Sequence, residues 1–350
     1  PEGQVRKIIA SRLGLSEQND YSMLKYLGED CAGAFMIMPK MTPLNVSIQE
    51  SYKPIKLSEI VKIYNEQPAF YLGIASENVR LSLAGAQDKV PLLFSQNNFF
   101  VPENGAPSSH ILKLPSKNYA YLSENEYLIT KIAKDCGLNV MPSQLIYCEQ
   151  FCALLVERYD RKMTDNKIQR LHQEDFCQAL GISHVNKYEE EGGPSLVKSF
   201  DLIQSESFNV IDDIEQFLKW TFFNICIGNC DNHGKNLSLL MSLPNHWSLS
   251  PFYDLVCTKA YKALSKKQAM SVGGSFDGAN LSARNWNQLM KEFNYSYKKF
   301  VNDICLPLVD TIQISLEEHV SLFKDKSSYN FIRVLSKDVK NLTQRAEKSL

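Results

Sequence analysis

The 350-residue sequence contains no long apolar run. Its first residues, PEGQVRKII, lack the apolar region of a secretion signal, and no segment approaches the ~20 apolar residues that a membrane-spanning helix needs. These absences predict a soluble protein that is not secreted. A first residue of proline instead of methionine suggests trimming, or a start inside a longer reading frame.

The sequence also lacks a large excess of charge of one sign, and it lacks closely spaced pairs of cysteines. The formal net charge of −1 argues against a broad electrostatic surface for nucleic acid, so any such contact would be local or made through a partner. The nine cysteines are scattered and form no C-x-x-C pair. This pattern favours reduced thiols in a cytosol over a disulfide framework, and it offers no zinc spacing.

What is present describes an ordinary globular protein, with 44% hydrophobic and 22% charged residues and a length that suits two lobes. Between residues 81 and 160, short apolar runs such as VPLLF, NFFVP, HILKL and FCALLVE predict a small sheet. After Arg161, apolar residues recur at helical spacing, for example in IEQFLKWTFFNICIG and NWNQLMKEF. We expect an α+β fold with a β-rich N-terminal lobe over 1–160 and an all-helical C-terminal lobe over 161–350.

One helix is predicted inside the β-rich part. Ser123 and Glu126 have the spacing of a capping box, and Gly137 is placed to end the helix. Between them, apolar residues recur at positions 128, 129, 132 and 133. The pattern predicts an amphipathic helix of about three to four turns.

The segment LSLAGAQDK, residues 81–89, is rich in small side chains. Ser82, Ala84, Gly85 and Ala86 would let the backbone approach a ligand closely, and consecutive amides can bind a phosphate group. Taken alone, so short a motif is explained more simply by a glycine turn before the strand VPLLF.

Two further segments carry charges at the edges of predicted strands. Lys113 interrupts the apolar run HILKLP, and on a buried face it would need an anionic partner such as a phosphate or the carboxylate of Glu126. A position on the solvent face of an edge strand explains Lys113 equally well. The run LLVERYDR ends a strand where two lobes would meet, and Tyr159 could cover a purine there; a plain strand end is the alternative.

The segment GNCDNHGKN, residues 228–236, follows the apolar run WTFFNICI directly. It is either a solvated turn or a reactive site at the edge of a core. Asp231 and Asn236 have the five-residue spacing of a kinase catalytic loop, and Asp254 follows in PFYDL, where a second metal-binding carboxylate is expected. Carboxylate and amide oxygens suit Mg²⁺, whereas His233 suits a nucleotide or structural contact.

A phosphoesterase that binds transition metals would use the same residue types. The sequence has only six histidines and no second metal-like cluster, which makes that interpretation weaker. The phosphate loop, lysine strand, hinge, catalytic loop and metal aspartate occur in the order that a kinase uses. Their joint occurrence favours a kinase over the separate simpler explanations.

These residues resemble the HipA-like serine/threonine kinase toxins of bacterial toxin–antitoxin systems. The resemblance implies a bilobal fold similar to the phosphatidylinositol-kinase branch of the protein kinases, with ATP and Mg²⁺ as cofactors. The matching motifs lie between residues 81 and 257 and run in the order LSLAGAQDK, HILKLP, NEYLITKIAKDCGLNVMP, LLVERYDR, RLHQEDFCQALGI, KYEEEGGPS, GNCDNHGKN and LSPFYDL.

The resemblance implies a role for each matching residue. Asp231 would be the catalytic base, and Asn236 and Asp254 would hold Mg²⁺. Ser82 matches the serine at which family members autophosphorylate, and a dianionic group there would repel the ATP phosphates and expel the loop. The ATP-binding set would comprise Ala84, Gly85, Ala86, Gln87, Asp88, Lys89, Lys113, Glu157, Arg158, Tyr159, His233, Gly234, Lys235, Asn236, Tyr253 and Asp254.

The resemblance also implies a substrate, partners and a location. Family substrates are aminoacyl-tRNA synthetases, whose modification causes growth arrest and persistence. Family partners include a helix-turn-helix antitoxin, through which the kinase reaches DNA only indirectly. The expected location is the bacterial cytoplasm, with delivery into a host cell a further possibility.

Two departures from full-length family members are expected. The Ser82 loop arrives only about eighty residues in, which suggests that the small N-terminal subdomain is missing, as in the short HipT-type toxins. In that case a separate small antitoxin would resemble the missing subdomain. The segment between Pro115 and Glu126, which contributes an activation-type loop in relatives, is also short.

Two other functions stay open at this point. A catalytically silent kinase fold could act as a co-repressor with its antitoxin, although a scaffold has no need of Lys113, Asp231, Asn236 and Asp254 together. A small-molecule or lipid kinase would share the same fold.

Overall fold

The computed structural model describes residues 3–37, 50–66, 88–164 and 167–350. The chain divides into two compact units: the first comprises Pro1–Ser123 and Pro142–Gln173, and the second Glu124–Met141 and Glu174–Leu350. The first unit holds a six-stranded sheet and the second holds the long helices of the chain's C-terminal half. The α+β class is therefore confirmed, while a lobe boundary at residue 160 stays a prediction.

The sheet of the first unit is antiparallel throughout. The four apolar runs named above all form strands in it, because each is a short β-prone segment bounded by turn residues. Its strands lie in the order Ser51–Ile55, Asn98–Glu103, Lys89–Ser95, His110–Lys113, Phe151–Glu157 and Ser143–Cys148.

One face of this sheet is covered by the helix Leu57–Glu66. Its Ile60 and Tyr64 are buried in the same apolar cluster as Leu92 and Leu112 of the central strands. At roughly 25 cal/mol per Å² of apolar area removed from water, such a cluster supplies the main stabilisation of a small sheet.

Two helices, Gly3–Leu13 and Asp20–Leu27, precede the sheet and form a small apolar cluster of their own around Ile9 and Met23. A hairpin of Arg161–Thr164 and Lys167–Arg170 follows the sheet. The segment after the second helix and the start of this hairpin lie next to the end of the strand Phe151–Glu157.

The helix predicted near residue 123 spans Leu122–Asp135. Its residues at 128, 129, 132 and 133 are completely buried, as the periodicity indicated. Gly137 has a φ of +74° and the Leu138 amide donates to the Ala133 carbonyl at 3.0 Å, which ends the helix. The capping box is wrong: the helix begins one residue before Ser123, so the Ser123 hydroxyl lies inside the first turn, buried and without a hydrogen-bond partner among the residues that the structure describes.

The helices predicted in the C-terminal half are confirmed. Helix Val210–Ile227 packs against Tyr329–Lys348 and buries Trp220, Phe222 and Phe223. The remaining helices are Phe176–Ala179, Leu196–Glu206, Ala283–Glu292, Tyr297–Lys299, the π-helical turn Phe300–Cys305 and Leu306–Val320, with short 3₁₀ turns at Glu189–Glu191, Gly234–Asn236, Thr258–Ala260 and Ser321–Phe323.

A three-stranded sheet carries the segment after residue 236. Its strands lie in the order His246–Leu249, Ser238–Leu243 and His172–Asp175, and the first two form a hairpin. The expectation of an all-helical lobe after residue 160 is therefore wrong, because short β-prone segments between the helices pair with one another. Across the ranges that the structure covers, no helix is both long and apolar enough to cross a bilayer.

Candidate active site

The segment 228–236 begins at the end of the most apolar helix. Gly228 ends Val210–Ile227 in a left-handed conformation, with a φ of +70°, and its amide donates to the Asn224 carbonyl. A Cβ at this position would meet Leu342 Cδ1 at 2.7 Å, the end of a flexible side chain, so the left-handed backbone is the main reason for glycine here. The chain is thereby turned sharply out of a rigid helix.

Hydrogen bonds of two asparagine side chains link the end of the helix to the loop. Asn224 Nδ2 donates to the Trp220 carbonyl at 2.8 Å, and Asn229 Nδ2 donates to Asn224 Oδ1 at 2.8 Å. The Asp231 amide then donates to Asn229 Oδ1 at 3.1 Å. Both asparagines are buried, where an unmade hydrogen bond is costly, so they fix the backbone of Asp231 to the helix.

Asn236 closes the loop onto Asp231. Its Nδ2 donates to the Asp231 carbonyl at 2.7 Å, and its backbone amide donates to the His233 carbonyl at 2.8 Å. Because the amide nitrogen faces a carbonyl, Oδ1 is left as the oxygen available to a metal ion. The five-residue spacing therefore corresponds to a real contact.

Tyr253, the residue before Asp254, is hydrogen-bonded to this loop. The Tyr253 hydroxyl donates to the Lys235 carbonyl at 2.8 Å and lies 2.7 Å from Ser238 Oγ. Asp254 itself has a φ of +55°, a left-handed conformation that aspartate tolerates better than most residues. Strained backbone of this kind clusters at functional sites.

The Asp231 carboxylate is exposed on this loop. Its side chain is 54% exposed. The Tyr188 hydroxyl donates to Asp231 Oδ1 at 2.7 Å, and His233 Nε2 lies 4.0 Å from the same oxygen. A carboxylate held in this way can accept a proton from a hydroxyl that approaches from solvent.

His233 is buried beside it. Burial lowers the pKa of His233 to about 4, although Asp231 and Asp254 raise it and Lys187 lowers it further. The imidazole is therefore neutral at pH 7, and its Nδ1 is buried with no hydrogen-bond partner among the described residues. Its ring meets the edge of the Tyr188 ring at a centroid distance of 5.3 Å.

The oxygen-rich donor set fits Mg²⁺. Asn236 Oδ1 and the Asp254 carboxylate are hard ligands, and Mg²⁺ usually takes one or two carboxylates together with phosphates and water. In the part of the chain that the structure covers, no group of three or more His, Cys, Asp or Glu side chains has metal-binding geometry. This finding gives no support to the phosphoesterase alternative.

Lys113 lies in the first unit, on a buried face of the sheet. Its strand runs between two others, and the side chain is 6% exposed, so the alternative of a solvent-facing edge lysine is wrong. Lys89 lies directly opposite Lys113 in the antiparallel pair, and the Leu114 amide donates to the Asp88 carbonyl at 2.9 Å. Directly opposite side chains share a face, so both ammonium groups lie on one side of the sheet.

Asp88 is half-buried next to these lysines. Burial raises the pKa of its carboxyl, and Lys117 opposes that effect. Residues 81–87, which include Ser82, Ala84, Gly85, Ala86 and Gln87, lie outside the described residues. The pairing of Lys113 with Glu126 would join the two units and stays a prediction.

The predicted hinge, Glu157 to Tyr159, already uses part of its hydrogen-bonding capacity. The Glu157 amide donates to the Pro142 carbonyl and the Arg158 amide to the Ser109 carbonyl, both at 3.0 Å. The Tyr159 hydroxyl donates to Gln173 Oε1 at 2.5 Å. A purine contact at this hinge stays a prediction.

The Arg158 side chain belongs to a buried ion cluster that the motif analysis did not foresee. Arg158 donates to Asp160 through Nε and Nη2 at 2.9 and 2.8 Å, and to Asp30 at 3.3 Å. Arg161 donates to Asp30 at 2.8 Å and lies 3.0 Å from Asp160. The ERYDR pattern supplied one signal, alternating charges at a strand end, but Asp30 is too distant in sequence to be paired with it.

Comparison with known proteins agrees with this geometry. A family model for the HipA-like C-terminal domain matches residues 81–314, and one for the HipA N-terminal domain matches residues 1–38. Y4mE of Sinorhizobium fredii is 35% identical over 337 residues, covering 94% of this chain and 80% of that protein. The serine/threonine-protein kinase toxin HipA of Shewanella oneidensis is 31% identical over 297 residues, covering 81% of this chain and 67% of that protein.

Among solved structures, a chain from the complex of Shewanella oneidensis HipA, HipB and operator DNA matches 100% of this chain and 85% of its own length. The TM-score is 0.85 and the sequence identity is 26%. The kinase-like α+β fold is thereby confirmed.

The match over residues 1–38 corrects one expectation. The inference that the chain lacks the N-terminal subdomain is wrong, since part of that subdomain is recognisable there. The inference failed because it used only the distance to the Ser82 loop and did not consider the sequence of residues 1–38, where the helices Gly3–Leu13 and Asp20–Leu27 lie. The expectation of a separate antitoxin that replaces this subdomain rested on that inference and is no longer supported.

Proposed function

Because the chain belongs to the HipA-like kinase family, we propose that it is the toxin of a bacterial toxin–antitoxin pair. In this role it transfers the γ-phosphoryl group of ATP to a serine of a protein, with an aminoacyl-tRNA synthetase as the substrate class, and so arrests growth. The observation that carries the proposal is the Asp231 carboxylate, exposed on a loop that is fixed at both ends by buried amides.

The chemistry needs a base next to the attacking hydroxyl. In the proposed step the serine oxygen forms a bond to the γ-phosphorus, the bond from that phosphorus to the β,γ-bridging oxygen breaks, and ADP leaves. Asp231 accepts the proton of the serine hydroxyl. Its exposed carboxylate and its fixed backbone support this role, since a base must be both reachable and oriented.

Asn236 and Asp254 would hold Mg²⁺, which when bound neutralises charge on the transferring phosphoryl group. The orientation of the Asn236 amide and the left-handed backbone of Asp254 support that assignment. Lys89 and Lys113 lie opposite each other on one face of their sheet, and they would bind phosphate oxygens. An anion such as phosphate stabilises two neighbouring positive charges.

The remaining parts of the proposal follow the family. Ser82 is the proposed autophosphorylation site, and a helix-turn-helix antitoxin is the proposed partner, supported by the HipA relative that was solved with HipB and operator DNA. A bacterial cytoplasm is the proposed location. Nine cysteines that are all free, seven of them buried, are compatible with a reducing compartment.

The test is a labelling experiment with γ-labelled ATP, Mg²⁺ and host lysate. The wild type is expected to label one protein of synthetase size and its own Ser82. Asp231→Asn keeps the shape of the side chain and an acceptor for the Tyr188 hydroxyl, so it should fold and label neither. Ser82→Ala should lose only the label on the kinase itself.

The alternatives give different results. An absence of label in every sample would support a silent co-repressor scaffold, and label confined to lipid or metabolite fractions would support a small-molecule kinase. Expression should arrest growth for the wild type and be tolerated for Asp231→Asn, a difference that a scaffold does not produce. Equal unfolding midpoints of the two proteins would exclude misfolding as the cause.

A further inference from the structure

The hydroxyl of Tyr188 donates to the carboxylate that we propose as the base. The donor and Asp231 Oδ1 are 2.7 Å apart, although the two residues are 43 positions apart in sequence. None of the site roles assigned above involves Tyr188. A hydroxyl bonded to a base is either an obstacle to the substrate or a device that orients the base, and the surroundings of Tyr188 favour the second.

Tyr188 is held by a segment that is itself anchored. The Glu189 amide donates to the Ala269 carbonyl at 3.1 Å, and the Glu189 carboxylate accepts from the Ser271 amide at 2.6 Å and the Ser271 hydroxyl at 2.9 Å. The Gly193 amide donates back to the Tyr188 carbonyl at 2.9 Å. These bonds fix the backbone that follows Tyr188, whereas a mobile inhibitory segment would lack such anchors.

The same segment is bound to the catalytic loop at a second point. The Gly234 amide donates to the Lys187 carbonyl at 3.3 Å, and the Tyr188 ring packs edge-on against the ring of His233. A Cβ on Gly234 would come within 2.4 Å of Pro194 Cγ, which shows how closely the two segments approach. The Tyr188 hydroxyl therefore has a fixed position relative to the loop.

The carboxylate needs such a partner. Rotation about the terminal bond of an aspartate side chain is broad, and Asp231 is more than half exposed, so solvent alone would leave it in many orientations. A hydrogen bond to a charged acceptor is stronger than one between neutral groups. Fixing Oδ1 on Tyr188 therefore limits the orientations that Oδ2 can take.

We propose that Tyr188 is a positioning residue for phosphoryl transfer, whose hydroxyl holds the Asp231 carboxylate in the orientation that accepts the substrate proton. The inference rests on the proposed function. Tyr188 keeps its own proton, and the proton of the substrate hydroxyl goes to Asp231 Oδ2. The contribution is to the rate of transfer and leaves nucleotide binding unaffected.

The test compares wild type, Tyr188→Phe and Tyr297→Phe in initial rates of label transfer from ATP to the acceptor in host lysate. Tyr188→Phe removes only the hydroxyl, and kcat should fall about tenfold or more while KM for ATP stays within about twofold. Tyr297→Phe is the matched control. It also removes a tyrosine hydroxyl from the same unit, one that donates to the Leu350 carbonyl, and its kcat should stay within about twofold of the wild-type value.

A second variant separates positioning from general damage. Glu189→Gln weakens the anchor to Ser271 and should lower kcat by a smaller factor than Tyr188→Phe. Since both changes act through the orientation of Asp231, the double variant should be no slower than Tyr188→Phe alone. Multiplied losses would instead indicate two independent structural effects and overturn the inference.

The outcomes distinguish this inference from the function on which it rests. A wild type that transfers no label overturns both. A Tyr188→Phe protein as fast as an active wild type overturns the inference alone, and a faster one would mean that the hydroxyl blocks the base. A rise in KM for ATP equal to the fall in kcat would also overturn it.

Discussion

His233 experiences the charges of Asp231 and Asp254, which raise its pKa, yet burial outweighs them and lowers that pKa to about 4. The sequence predicted a nucleotide or structural contact for this residue. In its actual position a neutral ring packs against the Tyr188 ring beside the proposed base. Desolvation, which depends on the surrounding fold, decides its chemistry here.

The sign of this shift predicts a pH dependence of stability. In the unfolded chain His233 takes up a proton below about pH 6.5, whereas in the folded protein it does so only below about pH 4. Between these values the unfolded state binds more protons, so the free energy of unfolding falls as the pH is lowered from 6.5 to 4, by up to about 3 kcal/mol.

Urea denaturation at pH 7 and pH 4.5 would measure this effect. His233→Gln cannot titrate, so its loss of stability between the two pH values should be smaller than that of the wild type. The difference between the two proteins isolates His233 from His110, whose pKa burial also lowers to about 4. Identical losses in both proteins would contradict the prediction.

The single residues of GNCDNHGKN were predictable because their spacing is local. Asp231 and Asn236 are close in sequence, and the loop between them closes on a hydrogen bond of its own. The Tyr188 contact could not be predicted, since a polar side chain 43 residues away leaves no periodic signal.

At the level of elements, the buried ion cluster connects the segment after the second helix to the end of the strand Phe151–Glu157. Asp30 accepts from Ser108, Arg158 and Arg161, and its side chain is 1% exposed. Burial raises the pKa of Asp30, but the two guanidinium groups and the Ser108 hydroxyl outweigh it, so the net pKa is lowered. The carboxylate therefore stays charged and paired at neutral pH.

Removal of Asp30 leaves buried guanidinium groups with too little countercharge. Asp30→Ala should therefore lower the free energy of unfolding by about 3–5 kcal/mol. Asp20 offers a matched control, since it pairs with Arg6 but is 61% exposed, and Asp20→Ala should cost less than about 1 kcal/mol. Urea denaturation of both variants checks the contrast, and equal shifts would mean that the cluster is not what stabilises this junction.

The elements themselves were mostly predictable. Helix Val210–Ile227 and four of the six strands of the first sheet follow from the apolar pattern, because an apolar face must be buried wherever the element lies. The strands Ser51–Ile55 and Ser143–Cys148 carry a weaker apolar pattern and were not predicted. The cap at Ser123 was not predictable, because the helix gains a residue at its start that the pattern does not specify. The strand order brings Lys89 opposite Lys113, a pairing that no local pattern contains.

For the molecule as a whole, the distribution of thiols agrees with the proposed reducing location. Seven cysteines are buried, and only Cys31 and Cys148 are partly exposed. Burial and the charge of Asp30 raise the pKa of Cys31, which disfavours its reactive thiolate. Cys148 is therefore expected to react first with a thiol reagent.

Titration with Ellman's reagent would test this. The native protein should show one fast thiol, and the protein in urea should show all nine. Cys148→Ser should abolish the fast phase, while Cys31→Ser should keep it. Fewer than nine thiols in urea without reductant would reveal a disulfide and contradict the expectation.

The backbone of Asp254 has one further consequence, for how such an enzyme evolves. A left-handed conformation costs a residue with a side chain about 1–2 kcal/mol, and glycine escapes that cost. Selection for a more stable protein alone would therefore favour glycine at position 254, at the expense of the carboxylate. A lineage that no longer needed the reaction proposed above would gain stability from this replacement at no cost, so we expect glycine to appear at position 254 in relatives that have lost the activity.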